Sequence, residues 1–294
     1  MKKILKVLVV GAGEIGTAIG NQLKKSKPKP AISFWDCDKG KIADCPPLDA
    51  AARDADVVFL CVPSFALRDV CRGLAPGLSK NVVIVSLTKG VTEEGYFVDA
   101  ILTQELSAFA HGILGGPMLA EELEDGLGGI GTYGSSSEKA RKMVARLFSD
   151  TDVLIETVEE PRSVALLGVL KNIYAVILSM ASELYPGDNR AGYFTSLAFR
   201  EIFQIVDSLG GNPSVLFTAA GIGDLIATSR SKHSRNNAVG KMLALGKKTK
   251  FSEGVRALPI VAKMLNRGGR EFTLLMILKA VLGGMKPRTA FAKL

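Results

Sequence analysis

Histidine is nearly absent: His111 and His233 are the two in 294 residues. Neither has cysteine, carboxylate or second-histidine company at metal-ligand spacing, so no metal site is expected. The four cysteines, Cys37, Cys45, Cys61 and Cys71, include no Cys-x-x-Cys pair. They read as reduced thiols of a cytoplasmic protein, not a disulfide frame. Aromatic residues make up only 6%, too few for a base-stacking platform. Lys and Arg exceed Asp and Glu to give a net charge of +8, but they are scattered instead of gathered on one face. Nucleic acid is therefore not expected as a partner, and the excess suits small phosphorylated molecules. The one compact basic group, Arg230-Ser-Lys-His-Ser-Arg235, is rich in hydroxyls and runs into Asn236-Asn237, which fits one small phosphate. There is no internal repeat and no low-complexity stretch.

Long apolar runs are also scarce. Val164–Ala181 approaches the ~20 residues of a membrane span, but Lys171-Asn172 at its centre argues against one. The opening Met1–Val10 resembles a signal peptide only faintly. Lys6 interrupts its apolar core, and a glycine turn stands where a cleavage site would. It reads as a buried first strand.

That first strand, Leu5–Val10, leads straight into Gly11-Ala-Gly-Glu-Ile-Gly16, and a helical pattern through Thr17, Ala18, Ile19 and Leu23 follows. In strand–turn–helix context Gly-x-Gly-x-x-Gly is a dinucleotide fingerprint. Gly11, Gly13 and Gly16 let backbone approach a pyrophosphate at the positive helix end. A second strand, Ala31–Trp35, ends at Asp36, twenty residues after Gly16, where an acid bonds the ribose hydroxyls. Strands at Val57–Cys61 and Val82–Val85 are continuous apolar runs, as strands buried on both faces should be. They end in Val62-Pro63-Ser64 and Ser86-Leu-Thr-Lys89-Gly90. Further short strands are expected at His111–Leu114, Gly128–Tyr133 and Asp152–Ile155. This is an α/β, Rossmann-like, doubly wound sheet.

After Pro161 no strand is expected. Helices are read at Ser163–Ser182, Arg190–Leu209, Ala238–Leu245, Val255–Asn266 and Thr273–Leu282, punctuated by Gly and Pro. The division falls at Glu159-Glu160-Pro161: a dinucleotide-binding domain over 1–160 and an all-α substrate and catalytic domain over 161–294. Lys171 stands out in the latter, because an ammonium amid apolar neighbours is costly unless paired or neutral. A buried lysine whose charge shifts readily suits proton transfer at an alcohol or carbonyl. The plainer alternative is a lysine that snorkels out of a half-buried helix.

Taken in order, these residues resemble the NAD(P)-dependent glycerol-3-phosphate dehydrogenases over nearly the whole chain. The matching segments are Gly-Ala-Gly-x-x-Gly-Thr-Ala at 11–18, Trp35, Val-Pro-Ser at 62–64 with Ala66-Leu67-Arg68, and Leu-Thr-Lys-Gly at 87–90. They continue with Gly116-Pro117, Ala120-Glu121-Glu122, Leu170-Lys171-Asn172 and Gly187-Asp-Asn189. The last are Gly211-Asn-Pro213, Ala-Gly-Ile-Gly-Asp-Leu at 220–225, Ser234-Arg235-Asn236 and Glu253-Gly-Val255.

The resemblance implies an oxidoreductase that reversibly transfers a hydride between NAD(P) and sn-glycerol 3-phosphate or dihydroxyacetone phosphate, with a place in glycerophospholipid metabolism. It implies an active site at the junction of the domains, with Lys171 as proton acceptor and Lys89 and Asp224 as its catalytic company. Substrate contacts fall on Lys89, Gly116, Asn172 and Asp224, with Ser234, Arg235 and Asn236 as the phosphate loop. Glu14 and Ile15 in the glycine turn, with Pro63, Lys89, Ala120, Arg235 and Glu253, fall at cofactor positions. Arg235 grips a phosphate with two parallel hydrogen bonds, which lysine does not do.

Four departures bear on the substrate. Met118 replaces the serine of Gly-Pro-Ser, and Glu14-Ile15 replaces Ser-Trp. Leu197 replaces an arginine, and the segment between Trp35 and Val57 is short, lacking a helix and loop. Another small phosphorylated polyol or hydroxy acid is thus the alternative substrate, and a non-catalytic dinucleotide sensor the third reading. Asp36, with Cys37 where many relatives carry arginine, favours NAD, and NADP is the runner-up. A homodimer is expected, since two-fold symmetry is the commonest closed form.

Overall fold

A computed structural model describes residues 4–231, 234–247, 249, 252–266, 271–292 and 294. The chain divides into two compact units. The first comprises Met1–Thr92 and Tyr96–Ala165, the second Glu93–Gly95 and Leu166–Leu294.

The first unit is a seven-stranded sheet: β1 (Lys6–Val10), β2 (Ala31–Trp35), β3 (Val57–Leu60), β4 (Val83–Ser86), β5 (Ala110–Gly115), β6 (Gly129–Gly134) and β7 (Val153–Val158). Their order is β2-β1-β3-β4-β5-β6-β7. All neighbouring pairs are parallel except β5 and β6. The helices are α1 (Glu14–Leu23), α2 (Leu48–Ala52), α3 (Leu67–Leu74), α4 (Val98–Leu106), α5 (Ala120–Glu124) and α6 (Glu138–Phe148). The shortened segment after Trp35 thus retains one short helix, α2. β1, β3 and β4 are apolar and buried on both faces, as the continuous runs predict. Val7, Val9, Phe59, Val85, Ile19 and Phe148 share one core on the α1/α6 face.

Crossing from β2 over β1 to β3 reverses the winding of the sheet. The strand order therefore changes direction between β1 and β3, and ligands of such sheets sit outside the carboxyl ends there. Those ends are the glycine turn and Cys61-Val62-Pro63.

The second unit is helical among its described residues. Its helices are α7 (Pro161–Leu184, which starts in the first unit), α8 (Asp188–Ser208), α9 (Asp224–Arg230), α10 (Arg235–Ala244), α11 (Glu253–Leu265), α12 (Thr273–Leu282) and α13 (Pro287–Phe291). Pro161 opens α7 at a position where its missing N–H costs nothing, and the Glu160 carboxylate accepts the Ser163 N–H at 3.0 Å, as a cap does. α7 is the one described helix long and apolar enough to cross a membrane, and 94% of its apolar stretch is buried within the protein. Four elements of this unit were not read from the pattern: a 3₁₀ turn at Pro213–Phe217, a single π-helical turn at Ala219–Gly223, and the short helices α9 and α13. α10 also begins three residues before the apolar rhythm does, because the Ser234 hydroxyl caps it by accepting the Asn237 N–H at 3.2 Å.

One buried acid ties three helices together. Glu201 on α8 is 8% exposed. It accepts the Tyr174 hydroxyl of α7 at 2.8 Å and the backbone N–H groups of Leu274 and Leu275, which open α12, at 2.7 and 3.4 Å. Burial raises its carboxyl above the usual value, against the pull of those donors. Glu201→Ala leaves three donors unmet and should lower unfolding stability by about 2–4 kcal/mol. Glu201→Gln, which keeps an acceptor, should cost less. Urea titration of both variants checks this, and an Ala variant as stable as wild type would contradict it.

Candidate active site

In the first unit the glycine turn is built by close approach. Gly11 has φ +100°, and a Cβ there would lie 2.4 Å from the Cys61 carbonyl oxygen. A Cβ on Gly16 would lie 1.9 Å from the Gly11 oxygen. Gly13 is different: a Cβ there meets nothing within 4 Å. Packing does not demand glycine at that position, and the space beside it leaves the backbone of the turn open. Glu14 starts α1 exposed, and Ile15 packs against the core.

Asp36 closes the turn. Its Oδ2 accepts the Ala12 N–H at 2.8 Å, and its Oδ1 accepts the Asp38 N–H at 2.9 Å. Lys41 Nζ stands 3.4 Å from Oδ2. Burial alone would raise this carboxyl, but the Asp38 and Ala12 N–H groups and Lys41 together hold it below its ordinary value. Asp36 is thus more than an acid at the right spacing, because it fastens the glycine turn to the end of β2.

The other first-unit candidates lie near strand ends. Pro63 follows β3, and Lys89 follows β4, half-buried. The two loops are joined by the Thr88 hydroxyl, which donates to the Val62 carbonyl at 2.8 Å. Gly116 follows β5, and Ala120 opens α5. Met118 is 9% exposed and belongs to the hydrophobic core with Leu114 and Leu123. Its departure from the family pattern is therefore taken up by packing.

In the second unit Lys171 does not snorkel. Its side chain is 11% exposed, and Nζ donates to Asp224 Oδ1 at 2.8 Å and to Thr228 Oγ1 at 3.1 Å. Asp224 is itself 3% exposed and Thr228 7%. A buried ammonium–carboxylate pair with a hydroxyl beside it can hold a proton or pass it on. The π turn sets this geometry. A Cβ on Gly221 would fall 2.1 Å from the Leu216 oxygen, so only glycine lets the chain fold tightly enough to start α9 at Asp224. Such turns gather at functional sites.

A second chain of bonds runs beside it. Asn172 Nδ2 donates to Glu253 Oε2 at 2.8 Å. Asn172 Oδ1 accepts from Asn236 Nδ2 at 3.0 Å, and Asn236 Oδ1 accepts the Gly254 N–H at 3.1 Å. Four predicted residues, Asn172, Asn236, Glu253 and, next to Asn172, Lys171, are thereby brought together. Ser234 caps α10, and Arg235 stands exposed on its first turn. Lys232 and His233 of the basic segment lie outside the described residues. Two participants escaped sequence reading. Thr228 has a signal in its i+4 spacing from Asp224, which puts both on one helix face. Asn237 donates to the carbonyls of Ser229 and Ser231 at 2.8 and 3.2 Å and pins the loop before Ser234. His111 is structural, its Nδ1 2.9 Å from the Phe109 carbonyl.

The mostly parallel sheet with its glycine turn is that of a dinucleotide-binding protein, and the second unit adds a buried lysine–aspartate pair. Comparison with known proteins sharpens this. The family model for the NAD-dependent glycerol-3-phosphate dehydrogenase N-terminus matches residues 39–140, and the model for its C-terminus matches residues 160–292. The glycerol-3-phosphate dehydrogenase [NAD(P)+] of Teredinibacter turnerae is 30% identical over 96% of this chain and 92% of its own length. That of Acinetobacter baylyi is 30% identical over 90% and 79%. The crystal structure of the Coxiella burnetii glycerol-3-phosphate dehydrogenase superposes with a TM-score of 0.87 at 21% identity, covering 99% of this chain and 98% of that one. This chain belongs to the NAD-dependent glycerol-3-phosphate dehydrogenase family.

The Asp36 bonds make a pH prediction. A carboxyl lowered in the folded state contributes stability that is fully present above its unfolded value near ~3.9 and is lost as pH falls through the folded value. Melting temperature should therefore drop more steeply below about pH 4 in wild type than in Asp36→Asn. Parallel curves would show that these bonds contribute nothing.

Proposed function

We propose that this chain reversibly oxidises sn-glycerol 3-phosphate to dihydroxyacetone phosphate with NAD(P). The observation that carries this reading is the buried Lys171–Asp224–Thr228 cluster within a chain of this family. As the neutral amine, Lys171 takes the proton of the C2 hydroxyl when the carbonyl forms, and Asp224 balances the charge that then appears on its nitrogen. Thr228 fixes the ammonium's direction. Asn172 and Gly116, with Lys89, contact the substrate. Ser234, Arg235 and Asn236 hold its phosphate, Arg235 through a two-point grip at the amino end of a ten-residue helix.

The dinucleotide fits the first unit because the open side of Gly13 leaves room for it. Gly11, Gly13 and Gly16 with Glu14 and Ile15 hold the pyrophosphate, and Asp36 holds the ribose. Pro63, Lys89 and Ala120 complete the first unit's cofactor contacts, and Arg235 and Glu253 are the cofactor-binding residues of the second unit. Held there, NAD(P) would supply the hydride acceptor for C2, a chemistry no side chain provides. We further propose a cytoplasmic homodimer that works on a small phosphorylated substrate without nucleic acid or a membrane span. The four free cysteines support the reducing compartment.

Lys171→Ala should lower turnover of dihydroxyacetone phosphate by about 10²–10⁴-fold while NADH binding stays within about threefold, since the cofactor rests on the first unit's residues. Stopped-assay rates and fluorescence titration of NADH measure the two. A turnover near wild type sinks the role of Lys171.

NADH should be used with a higher kcat/KM than NADPH, because the Asp36 carboxylate repels a 2′-phosphate. Asp36→Ser should narrow the ratio. Lys41 beside Asp36 limits the preference without reversing it. A ratio favouring NADPH in the wild type would overturn the assignment.

A further inference from the structure

The first unit has a cavity that the reaction does not use. It measures about 410 Å³, within the range of small-molecule sites. It lies at the amino end of β1, beside Leu5, whereas the glycine turn follows the carboxyl end. Five residues of strand separate the two, or about 17 Å.

Its composition is two-sided. Leu5, Pro28, Met143 and Leu147 give it apolar wall, and Lys27, Lys142 and Arg146 give it cationic rim. No carboxylate lines it. Lys142 and Arg146 are four residues apart on α6 and so share one face, as do Met143 and Leu147 beside them. Lys142 pairs with Glu138 at 2.6 Å, but that glutamate's side chain is 67% exposed, and such pairs are weak. Lys27 and Arg146 meet no carboxylate among the described residues. The neighbouring sequence adds to the field: Lys24, Lys25, Lys27 and Lys29 fall within six residues. Of these, Lys25 is paired, with Asp152. Core packing does not call for three cations around an apolar hollow. None of these residues belongs to the catalytic or cofactor-binding set.

We propose that this cavity binds an anionic amphiphile, a single apolar chain carrying one carboxylate or phosphate group. The wall takes the chain out of water. Arg146 takes two oxygens of the head group in its planar fork, with Lys142 and Lys27 supplying point charges. Neither half of the ligand suffices alone: a bare anion leaves the wall wet, and an uncharged chain leaves the rim unmatched.

Isothermal titration of the full chain with dodecyl phosphate, kept below its micelle concentration, tests the site. One molecule should bind, and the double variant Lys142→Gln/Arg146→Gln should bind at least about tenfold more weakly with unchanged melting temperature. Both side chains are exposed, so the fold should not depend on them. Inorganic phosphate and octyl glucoside should each bind at least tenfold more weakly than dodecyl phosphate. Equal binding by wild type and the double variant overturns the proposal, and so does inorganic phosphate binding as tightly as the amphiphile. Sedimentation with phosphatidylglycerol vesicles separates the source of the anion. Binding to vesicles without binding of monomeric dodecyl phosphate would mean a membrane surface acts on the basic face and the cavity is not a ligand site. A Met143→Gln variant that retains full affinity would likewise remove the chain-binding half of the account.

Discussion

One ammonium inside an apolar helix sets the terms for the second unit. From Ser163 to Ala181 every residue of α7 except Leu178 is buried, so Lys171 has no route to water along its own helix. It must be met where it lies, and it is met by Asp224 at 2.8 Å. Taking two charges out of water costs several kcal/mol per ion before their attraction is counted, and apolar replacements of buried pairs are often neutral or stabilising. A fold that needed only stability would have leucine there. The neighbouring architecture follows from bringing the carboxylate to the amine. The 3₁₀ turn and the π turn compress 213–223, Gly221 permits the compression, and α9 then starts with Asp224 and carries Thr228 one turn later.

A comparable economy governs the first unit. Changing winding direction between β1 and β3 opens a crevice at two adjacent strand ends, and the glycine turn fills one of them. Asp36 secures that turn through the Ala12 N–H. Asp36 is thus scaffold for the glycine turn, so a substitution there loosens the loop between β1 and α1.

Much of this was legible in the residues, and the parts that were not have physical causes. β1, β3 and β4 announce themselves because strands covered on both faces need unbroken apolar runs. Lys171 announces itself because its cost has no structural return. Thr273–Leu282 matches its helix end for end, since its apolar rhythm runs the whole length between Phe272 and Gly283. Elsewhere a cap overrides rhythm: α10 starts at Arg235 under Ser234, whose hydroxyl accepts the Asn237 N–H. The antiparallel turn of β6 against β5 was invisible, because alternation in a short strand carries no direction. Thr228 was invisible as a site residue because threonine in a helix is ordinary until the ammonium next to it is seen. Met118 was misleading as a substrate signal, since a change of side chain inside a motif can be absorbed by the core behind it.

The most direct test replaces the pair with hydrocarbon. In Lys171→Met/Asp224→Leu, the account predicts unfolding stability within about 1 kcal/mol of wild type, since both charges leave together, and turnover of dihydroxyacetone phosphate lower by at least about 10²-fold. Turnover preserved within a few-fold in a folded double variant would contradict it, and would make the Lys171–Asp224 pair a structural contact.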